Sequence, residues 1–173
     1  MVITAAASGV GAAAVQIAKW KKATVVATSE KSKSERLLSL GADIIIDKNA
    51  NDQLEQMQKV FIDKGATFIL ELVGKSTLQR SIDMLDNYGR IVCVGTLSGD
   101  IAEVNIMDLI MKRGTIKGSF ATLTNQDFKQ ILTLFANKTF KPVIDCVLPL
   151  KEARAAHERI EAGGVFGKII LQP

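Results

Sequence analysis

Six residues near the N-terminus, from Gly9 to Ala14, match the pattern G-x-G-x-x-A. They follow a short apolar run at residues 2–4 and open a segment of helical period, and this strand–turn–helix context gives the pattern its meaning. A helix N-terminus offers unpaired N–H groups and positive dipole to phosphates. The pattern therefore predicts a dinucleotide-binding turn, and the alternative is a tight turn that serves only the fold.

Each small residue of the pattern has a role in such a turn. Gly9 permits the tight bend, and Gly11 leaves no side chain between the backbone and a pyrophosphate. Ala14 lets the helix approach the strand closely. The turn is thus expected to bind the two phosphates through backbone amides.

Short β-branched runs alternate with longer segments of helical period along the chain. The predicted strands cover residues 2–4, 24–28, 44–46, 68–73, 91–94, 115–120 and 168–171. These runs are apolar throughout, which indicates a sheet buried on both faces. Because strands that alternate with helices imply βαβ crossovers, the sheet should be mostly parallel. We predict one doubly wound α/β domain over residues 1–173.

In an open parallel sheet, ligands bind beyond the carboxyl ends of the strands, where the strand order reverses. Residues that end the predicted strands are therefore candidates for the site. They are Thr28, Ser29, Glu71, Leu72, Val73, Gly95, Thr96 and Leu97. For each of them, an ordinary loop after a strand is the alternative.

The end of the second predicted strand bears on the choice between NAD and NADP. An NAD site places an acid there, about 20 residues beyond the glycines, to bind the ribose 2′-hydroxyl. This chain has Thr28 and Ser29 at that end, followed by Glu30 and then Lys33. Hydroxyls and a lysine suit a 2′-phosphate, and we expect Glu30 to point outward. NADP(H) is therefore preferred, with NAD(H) as the alternative.

Composition and charge argue against several other classes. Of the 173 residues, 47% are apolar and 23% are charged, as in a globular domain rather than a disordered chain. The net charge of +4 comes from scattered residues, so we expect no nucleic-acid partner. Cys93, Cys146 and His157 lack zinc-ligand spacing, so no metal is expected in this chain. We interpret both cysteines as buried structural thiols.

The apolar N-terminus matches neither a secretory signal nor a membrane span. Residues 1–18 carry no charged side chain, and the lysines follow the apolar run, whereas a signal begins with positive charge. Gly9 and Gly11 interrupt the run, which makes it a poor span. We expect a cytoplasmic protein without a membrane partner.

Several segments together resemble the coenzyme domain of the medium-chain dehydrogenase/reductase superfamily (zinc-type alcohol dehydrogenase-like), in its zinc-free quinone oxidoreductase branch. They are residues 6–19 (AASGVGAAAVQIAK), 40–43 (LGAD), 70–74 (LELVG), 89–92 (GRIV) and 164–171 (GVFGKIIL). The resemblance spans essentially the whole chain. It implies a six-stranded Rossmann fold, with helices on both faces of the sheet, that binds NADP(H). It also implies hydride transfer to or from a quinone, enone or related carbonyl substrate.

The resemblance further implies which positions meet the coenzyme. These are Ser8, Gly9, Val10 and Gly11 on the pyrophosphate, Lys168 on the phosphates, and Gly95, Thr96, Ser119 and Phe120 near the nicotinamide. Lys33 matches the family lysine at the adenosine end, and Thr28 stands where NAD-preferring relatives have an acid. The edge strand at residues 115–120 is the one that such proteins pair to form homodimers. No catalytic residue is assigned.

The chain departs from the family pattern at its start. Members place a GroES-like domain before the Rossmann domain, whereas Met1 here lies almost on the first strand. We therefore expect that domain and half of the substrate cleft to be missing, and the chain alone to be inactive.

Three other classes of protein share parts of this pattern. Two stay open: the coenzyme domain of an NAD-dependent zinc alcohol dehydrogenase, and a non-catalytic nucleotide-sensing module. The third is a short-chain dehydrogenase, a family whose members resemble one another in having a Tyr-x-x-x-Lys motif. Here Tyr88 is followed four residues later by Val92, where the motif requires a lysine. That class is therefore disfavoured.

Overall fold

Strands and helices alternate along the chain. The computed structural model describes residues 1–61 and 64–173, which form eight strands and seven α-helices. The strands are β1 (Val2–Ile3), β2 (Val26–Ser29), β3 (Ile44–Asp47), β4 (Ala66–Glu71), β5 (Leu85–Cys93), β6 (Thr115–Gly118), β7 (Ile144–Pro149) and β8 (Lys168–Gln172). The helices are α1 (Gly9–Trp20), α2 (Ser34–Ser39), α3 (Gln53–Phe61), α4 (Leu78–Asp83), α5 (Ile106–Met111), α6 (Asn125–Ala136) and α7 (Ala153–Glu161). Among these helices, none is long and apolar enough to cross a membrane.

Six of these strands form one parallel sheet in the order β3-β2-β1-β4-β5-β6. Val2 of β1 lies opposite Val26 on one side and Ile69 on the other, so the first strand is central. The chain returns to the middle of the sheet after β3, and the strand order therefore reverses between β1 and β4. This is the Rossmann order, and the predicted doubly wound α/β fold is confirmed.

Helices cover both faces of the sheet. One buried cluster joins Ile3 and Ala27 to Val15 of α1 and Leu37 of α2. A second cluster joins Val2 and Val26, together with Ile69 and Ile91, to Met57 of α3 and Ile82 of α4. Neighbouring residues of a strand enter opposite clusters because side chains alternate across a sheet. This explains why the strand sequences are apolar throughout.

The last two strands lie outside the main sheet. β7 and β8 pair in parallel as a separate two-stranded sheet, in which Val147 lies opposite Ile170. The segment at residues 168–171 is thus a strand as predicted, but its partner is β7. A bridge between Ser8 and Gly167 connects this small sheet to the β1–α1 turn. The C-terminal part of the chain is thereby brought to the glycine pattern.

Asp145 fastens this C-terminal part to the main domain. Its buried carboxylate accepts hydrogen bonds from Arg159 at 2.8 Å and from the Phe166 amide at 3.1 Å. Arg36 of α2 lies 3.6 Å from the same carboxylate, and its guanidinium packs over the Phe166 ring. Although burial opposes ionisation, the Phe166 amide and Arg159 lower the pKa of Asp145. One ionised side chain therefore connects β7, α7, the loop before β8 and α2.

The outer edge of the sheet is apolar and exposed. β6 forms the last strand of the sheet order and pairs with β5 alone in the described chain. Large apolar side chains are exposed on α5, α6 and the segment between β6 and α6. They are Ile106, Met107, Ile110, Met111, Phe120, Leu123, Phe128 and Leu132. An apolar surface of this kind beside an open strand edge is typical of a protein interface.

Candidate functional site

Two clefts open at the carboxyl ends of the strands, where the strand order reverses. The turn cleft holds about 500 Å³ and is lined by Ser8, Gly9, Ser29, Glu30, Lys33, Lys168 and neighbouring residues of the loop before β8. The hydroxyl cleft holds about 490 Å³ and is lined by Thr28, Val73, Ser76, Thr77, Arg80, Ser98 and Asn49. Ala5, Lys48 and Leu97 line both clefts. Clefts of this size and position are typical of dinucleotide sites in Rossmann folds.

The β1–α1 turn leaves the Val10 amide available at the start of α1. Ser8 caps the helix, since its hydroxyl oxygen accepts the Gly11 amide at 3.1 Å and its carbonyl accepts the Ala12 amide at 2.8 Å. Within the described chain, the Val10 amide has no acceptor, and the Gly9 amide faces the Gly167 carbonyl across the bridge to Ser8 without reaching normal hydrogen-bond geometry. The free Val10 donor, together with the positive end of the helix dipole, suits an anionic group.

The two glycines of the pattern are required for different reasons. A Cβ atom at Gly11 would lie 2.5 Å from the Ala5 carbonyl oxygen and 2.6 Å from Ala6 Cα, so Gly11 allows the helix to pack against its own turn. A Cβ at Gly9 would overlap the side chain of Lys168. Gly9, which lines the turn cleft, therefore leaves room for the Lys168 side chain to cross the turn. A contact between Gly11 and a pyrophosphate stays a prediction.

Lys168 brings a cation to the same turn. Its backbone is held by hydrogen bonds from its own amide to Val143 and from the Gly167 amide to Ala7, at 3.0 and 2.8 Å. Its side chain lies across Gly9 and lines the turn cleft. Among the described residues, no carboxylate lies within ion-pair distance of its ammonium group. The turn therefore combines a free amide with an uncompensated positive charge.

Two lysines hold Glu30 at the end of β2. Its carboxylate lies 2.7 Å from Lys48 Nζ and 3.2 Å from Lys33 Nζ. The hydrogen bond from Lys48, and then that from Lys33, lowers the pKa of Glu30. Glu30 does not point away from the site as expected but borders the turn cleft. Because both of its oxygens are engaged, the cluster presents one net positive charge rather than a free acceptor.

Lys48 is a site residue that the sequence interpretation missed. It directly follows β3, and its amide donates to the Ser29 carbonyl at 2.8 Å, which places it beside the end of β2. The rule on strand ends was applied to the second, fourth and fifth strands. Its application to the third strand would have found Lys48.

The remaining predicted residues divide between the clefts and the strand ends. Thr28 and Ser29 are both buried, and Ser29 lines the turn cleft whereas Thr28 lines the hydroxyl cleft with Val73. Gly95, Thr96, Ser119 and Phe120 follow β5 and β6 and line neither cleft. The Ser119 amide donates to the Cys93 carbonyl at 2.9 Å, so these two strand ends are adjacent.

Glu71 shapes the wall of the hydroxyl cleft. It ends β4, is completely buried and accepts five hydrogen bonds from neutral donors. One oxygen accepts the hydroxyls of Thr4 and Thr77 and the amides of Val73 and Gly74, at 2.8 to 3.1 Å, and the other accepts the Ser81 hydroxyl at 2.5 Å. The β4–α4 turn, which carries Val73, Ser76 and Thr77 into the cleft, is therefore folded around this carboxylate.

The cysteines were expected to be buried, and both are only partly buried. Desolvation, and secondly the negative charge of Glu71, raises the pKa of the Cys93 thiol. A thiol with a raised pKa is a weak nucleophile at neutral pH. Cys93 therefore acts as a packing residue at the end of β5.

A glycine turn, a helix N-terminus and a cation at the reversal point of a Rossmann sheet are typical of a dinucleotide-binding domain. The family model described as zinc-binding dehydrogenase matches residues 9–137, and the chain belongs to that family, within the medium-chain dehydrogenase/reductase superfamily.

Relatives and solved structures agree with this assignment. The quinone oxidoreductases of Sus scrofa and Escherichia coli (strain K12) are each 30% identical to this chain, over 99% and 98% of it. The structure of an NAD-dependent alcohol dehydrogenase superposes with a TM-score of 0.92 at 31% identity, over 99% of this chain and 50% of that one. The structure of a quinone oxidoreductase from Pseudomonas syringae pv. tomato superposes with a TM-score of 0.85 at 27% identity, over 99% of this chain and 56% of that one. The chain spans about half the length of its curated relatives, 54% and 55% for the first two.

The family description names zinc, which requires three or four nitrogen, sulphur or oxygen ligands. In residues 1–61 and 64–173, no group of three His, Cys, Asp or Glu side chains is placed to hold a metal ion. The described residues therefore do not fit a zinc site, and no chemical step is derived through zinc.

Replacing Glu71 with leucine tests the role of the buried carboxylate. The change leaves the Val73 and Gly74 amides and the Ser81 hydroxyl without an acceptor, whereas the Thr4 and Thr77 hydroxyls also reach backbone carbonyls. Each orphaned buried donor costs about 1–3 kcal/mol. We expect the free energy of unfolding, measured by urea titration, to fall by about 3 kcal/mol or more. Glu71→Gln, which keeps one acceptor oxygen, should lose less.

The exposed acid Glu103 provides the matched control. Glu103→Leu should change the free energy of unfolding by less than about 0.5 kcal/mol, as is usual for surface positions. Equal losses at the two positions would contradict the role assigned to Glu71.

Proposed function

We propose that this chain is the NADP(H)-binding domain of an oxidoreductase that transfers hydride between nicotinamide and a quinone, enone or related carbonyl compound. The observation that carries the proposal is the free amide of Val10 at the same turn as the uncompensated ammonium of Lys168. Phosphate groups match this arrangement in charge and in hydrogen-bonding capacity. The quinone oxidoreductases among the relatives support the substrate class.

The adenosine end supports NADP over NAD. Lys33 and Lys48 share one carboxylate, so a 2′-phosphate would meet a net positive charge at the end of β2. The buried hydroxyls of Thr28 and Ser29 lie at the same strand end. The charge of Glu30 is already balanced by one of its two lysines, so the carboxylate does not repel a 2′-phosphate at this end. The coenzyme would thus extend from Lys168 at its diphosphate to the lysine pair at its 2′-phosphate.

The nicotinamide end would lie at the ends of β5 and β6. Gly95, Thr96, Ser119 and Phe120 are adjacent there, and Phe120 is almost fully exposed. The bound coenzyme would supply the hydride, and the residues of the chain would orient the nicotinamide ring. The domain over residues 1–173 offers one wall of a substrate cleft, since its relatives are nearly twice as long.

NAD-dependent activity is a second candidate. It is favoured by the structural match to an NAD-dependent alcohol dehydrogenase at 31% identity. In that case Glu30 would exchange one of its lysines for the ribose hydroxyls. A nucleotide-sensing module without chemistry would share the same site and differ only in lacking turnover.

A second copy of this chain is the proposed partner. The open edge of β6, together with the exposed apolar side chains of α5, α6 and the segment between β6 and α6, supports this partner. Pairing of two such edges would satisfy the strand's free backbone groups and bury the apolar residues.

Titration of NADPH and NADH into the chain, followed by nicotinamide fluorescence, tests the binding proposal. We expect NADPH to bind more tightly than NADH. Lys168→Met should weaken both coenzymes by about tenfold, because the loss of a charge-assisted phosphate contact costs roughly 1.5–3 kcal/mol.

Lys151→Met, at an exposed lysine beyond β7, is the matched control and should leave both affinities unchanged. If neither NADPH nor NADH binds, the proposal is refuted. A preference for NADH that is lost in Glu30→Ser would favour the NAD-dependent alternative.

We expect the chain alone to show no useful turnover of a quinone with NADPH, because only one wall of the substrate cleft is present. Oxidation of NADPH at 340 nm in the presence of a simple quinone measures this. Robust turnover that depends on the chain would show that the second half of the cleft is dispensable.

We expect a dimer in sedimentation velocity, with Ile110→Asp shifting the chain to a monomer because it places a charge in the apolar surface. Leu38→Asp, at an equally apolar exposed position on α2, should leave the dimer intact. A wild-type mass near the 18.7 kDa of one chain would contradict the dimer.

A further inference from the structure

The hydroxyl cleft has the chemistry of an anion site. Hydroxyl groups of Thr28, Thr77 and Ser98 line it together with the side chains of Lys48 and Arg80. None of the described residues that line it is Asp or Glu. The hydroxyls of Thr77 and Ser98 donate to Glu71 and to the Val73 carbonyl, and Lys48 is paired with Glu30, so Arg80 is the group of interest for an anion.

Arg80 is the uncompensated cation of this cleft. It lies on α4, is exposed, and donates one hydrogen bond, from Nη1 to the neutral Gln53 Oε1 at 3.1 Å. Among the described residues, no carboxylate lies within ion-pair distance of its guanidinium. A guanidinium has five N–H groups, so most of its donors are available to a ligand. Lys48, in contrast, is already paired with Glu30.

Gln53 positions Arg80 relative to Lys48. The Gln53 side chain is buried, and its Nε2 donates to the carbonyls of Asp47 and Lys48 at 2.9 and 2.6 Å. Two carbonyl acceptors require the NH₂ group on that side, so the oxygen of the amide faces Arg80. One buried amide thus ties the guanidinium to the turn that carries Lys48.

The position of Arg80 and Lys48 in the fold indicates which anion they would bind. The diphosphate belongs at the turn cleft, where Gly9, Val10 and Lys168 meet. Lys48 borders both clefts and is joined through Glu30 to Lys33 at the end of β2, which is where a ribose 2′-substituent lies in this fold. Arg80 lines the hydroxyl cleft together with Lys48 and with Thr28 of the β2 end.

We propose that Arg80, positioned by Gln53, is a specificity-determining residue that binds the 2′-phosphate of NADP(H) from the hydroxyl cleft. The inference rests on the proposed coenzyme-binding function and adds to it a contact on α4, a helix outside the glycine turn and the β2 end. A planar guanidinium suits a phosphate through two parallel hydrogen bonds, which a 2′-hydroxyl does not offer.

Calorimetric titration of the chain with 2′,5′-ADP and with 5′-AMP tests this assignment, since the two probes differ only in the 2′-phosphate. We expect Arg80→Met to lower the affinity for 2′,5′-ADP by about tenfold and to change the affinity for 5′-AMP by less than about twofold. Arg80→Lys should keep part of the affinity, since it retains the charge but not the planar fork. Gln53→Leu should reproduce a part of the same selective loss.

Arg154→Met is the matched control, because Arg154 is an exposed arginine on α7 that pairs with Glu158. It should bind both probes like the wild type, and circular dichroism checks that every variant is folded. Equal weakening of both probes in Arg80→Met, or no change in either, would overturn the assignment while leaving coenzyme binding intact. A wild-type chain that binds neither probe nor NADPH would instead refute the proposed function itself.

Discussion

The start of α1 governs the site, because the helix begins with more amide donors than its own turn can satisfy. Ser8 accepts the amides of Gly11 and Ala12, and the Val10 amide stays available in the described chain. The close packing of Gly11 on Ala5 and Ala6 holds the helix end in this position. The strand order, the small C-terminal sheet and the lysines at the strand ends all place polar or charged groups around this one helix terminus.

The two carboxylates beside the site, Glu71 and Glu30, have different kinds of hydrogen-bond partner. Glu71 folds the β4–α4 turn through five hydrogen bonds without a cationic partner, and so leaves the nearby cations uncompensated. Glu30, on the other side, shares its charge between Lys33 and Lys48. The two carboxylates, one at the end of β4 and one directly after β2, thus differ in their partners: Glu71 has neutral donors and Glu30 has two lysines.

The sequence predicts those parts of the fold and site that depend on local patterning. Apolar runs of strand length and the glycine turn suffice for the Rossmann sheet and the start of α1, and Ser8, Gly9 and Lys168 do meet at one cleft. The pairing of β8 with β7, the packing role of Gly11 and the Gln53–Arg80 contact depend on segments far apart in sequence, and periodicity contains no information about them. Glu30 shows the same limit, because one of the two lysines that hold it, Lys48, follows the neighbouring strand β3.

The dependence of the turn on Lys168 has a consequence for biosynthesis. Gly9 lies near the beginning of the sequence and Lys168 in the last strand, whereas all strands of the main sheet are complete by Gly118. On a translating ribosome, the sheet can therefore form well before the lysine emerges. Nascent chains would pass through a stage in which the scaffold exists without its anion-binding charge, and the pocket matures only when β7 and β8 join and Asp145 locks them to α2.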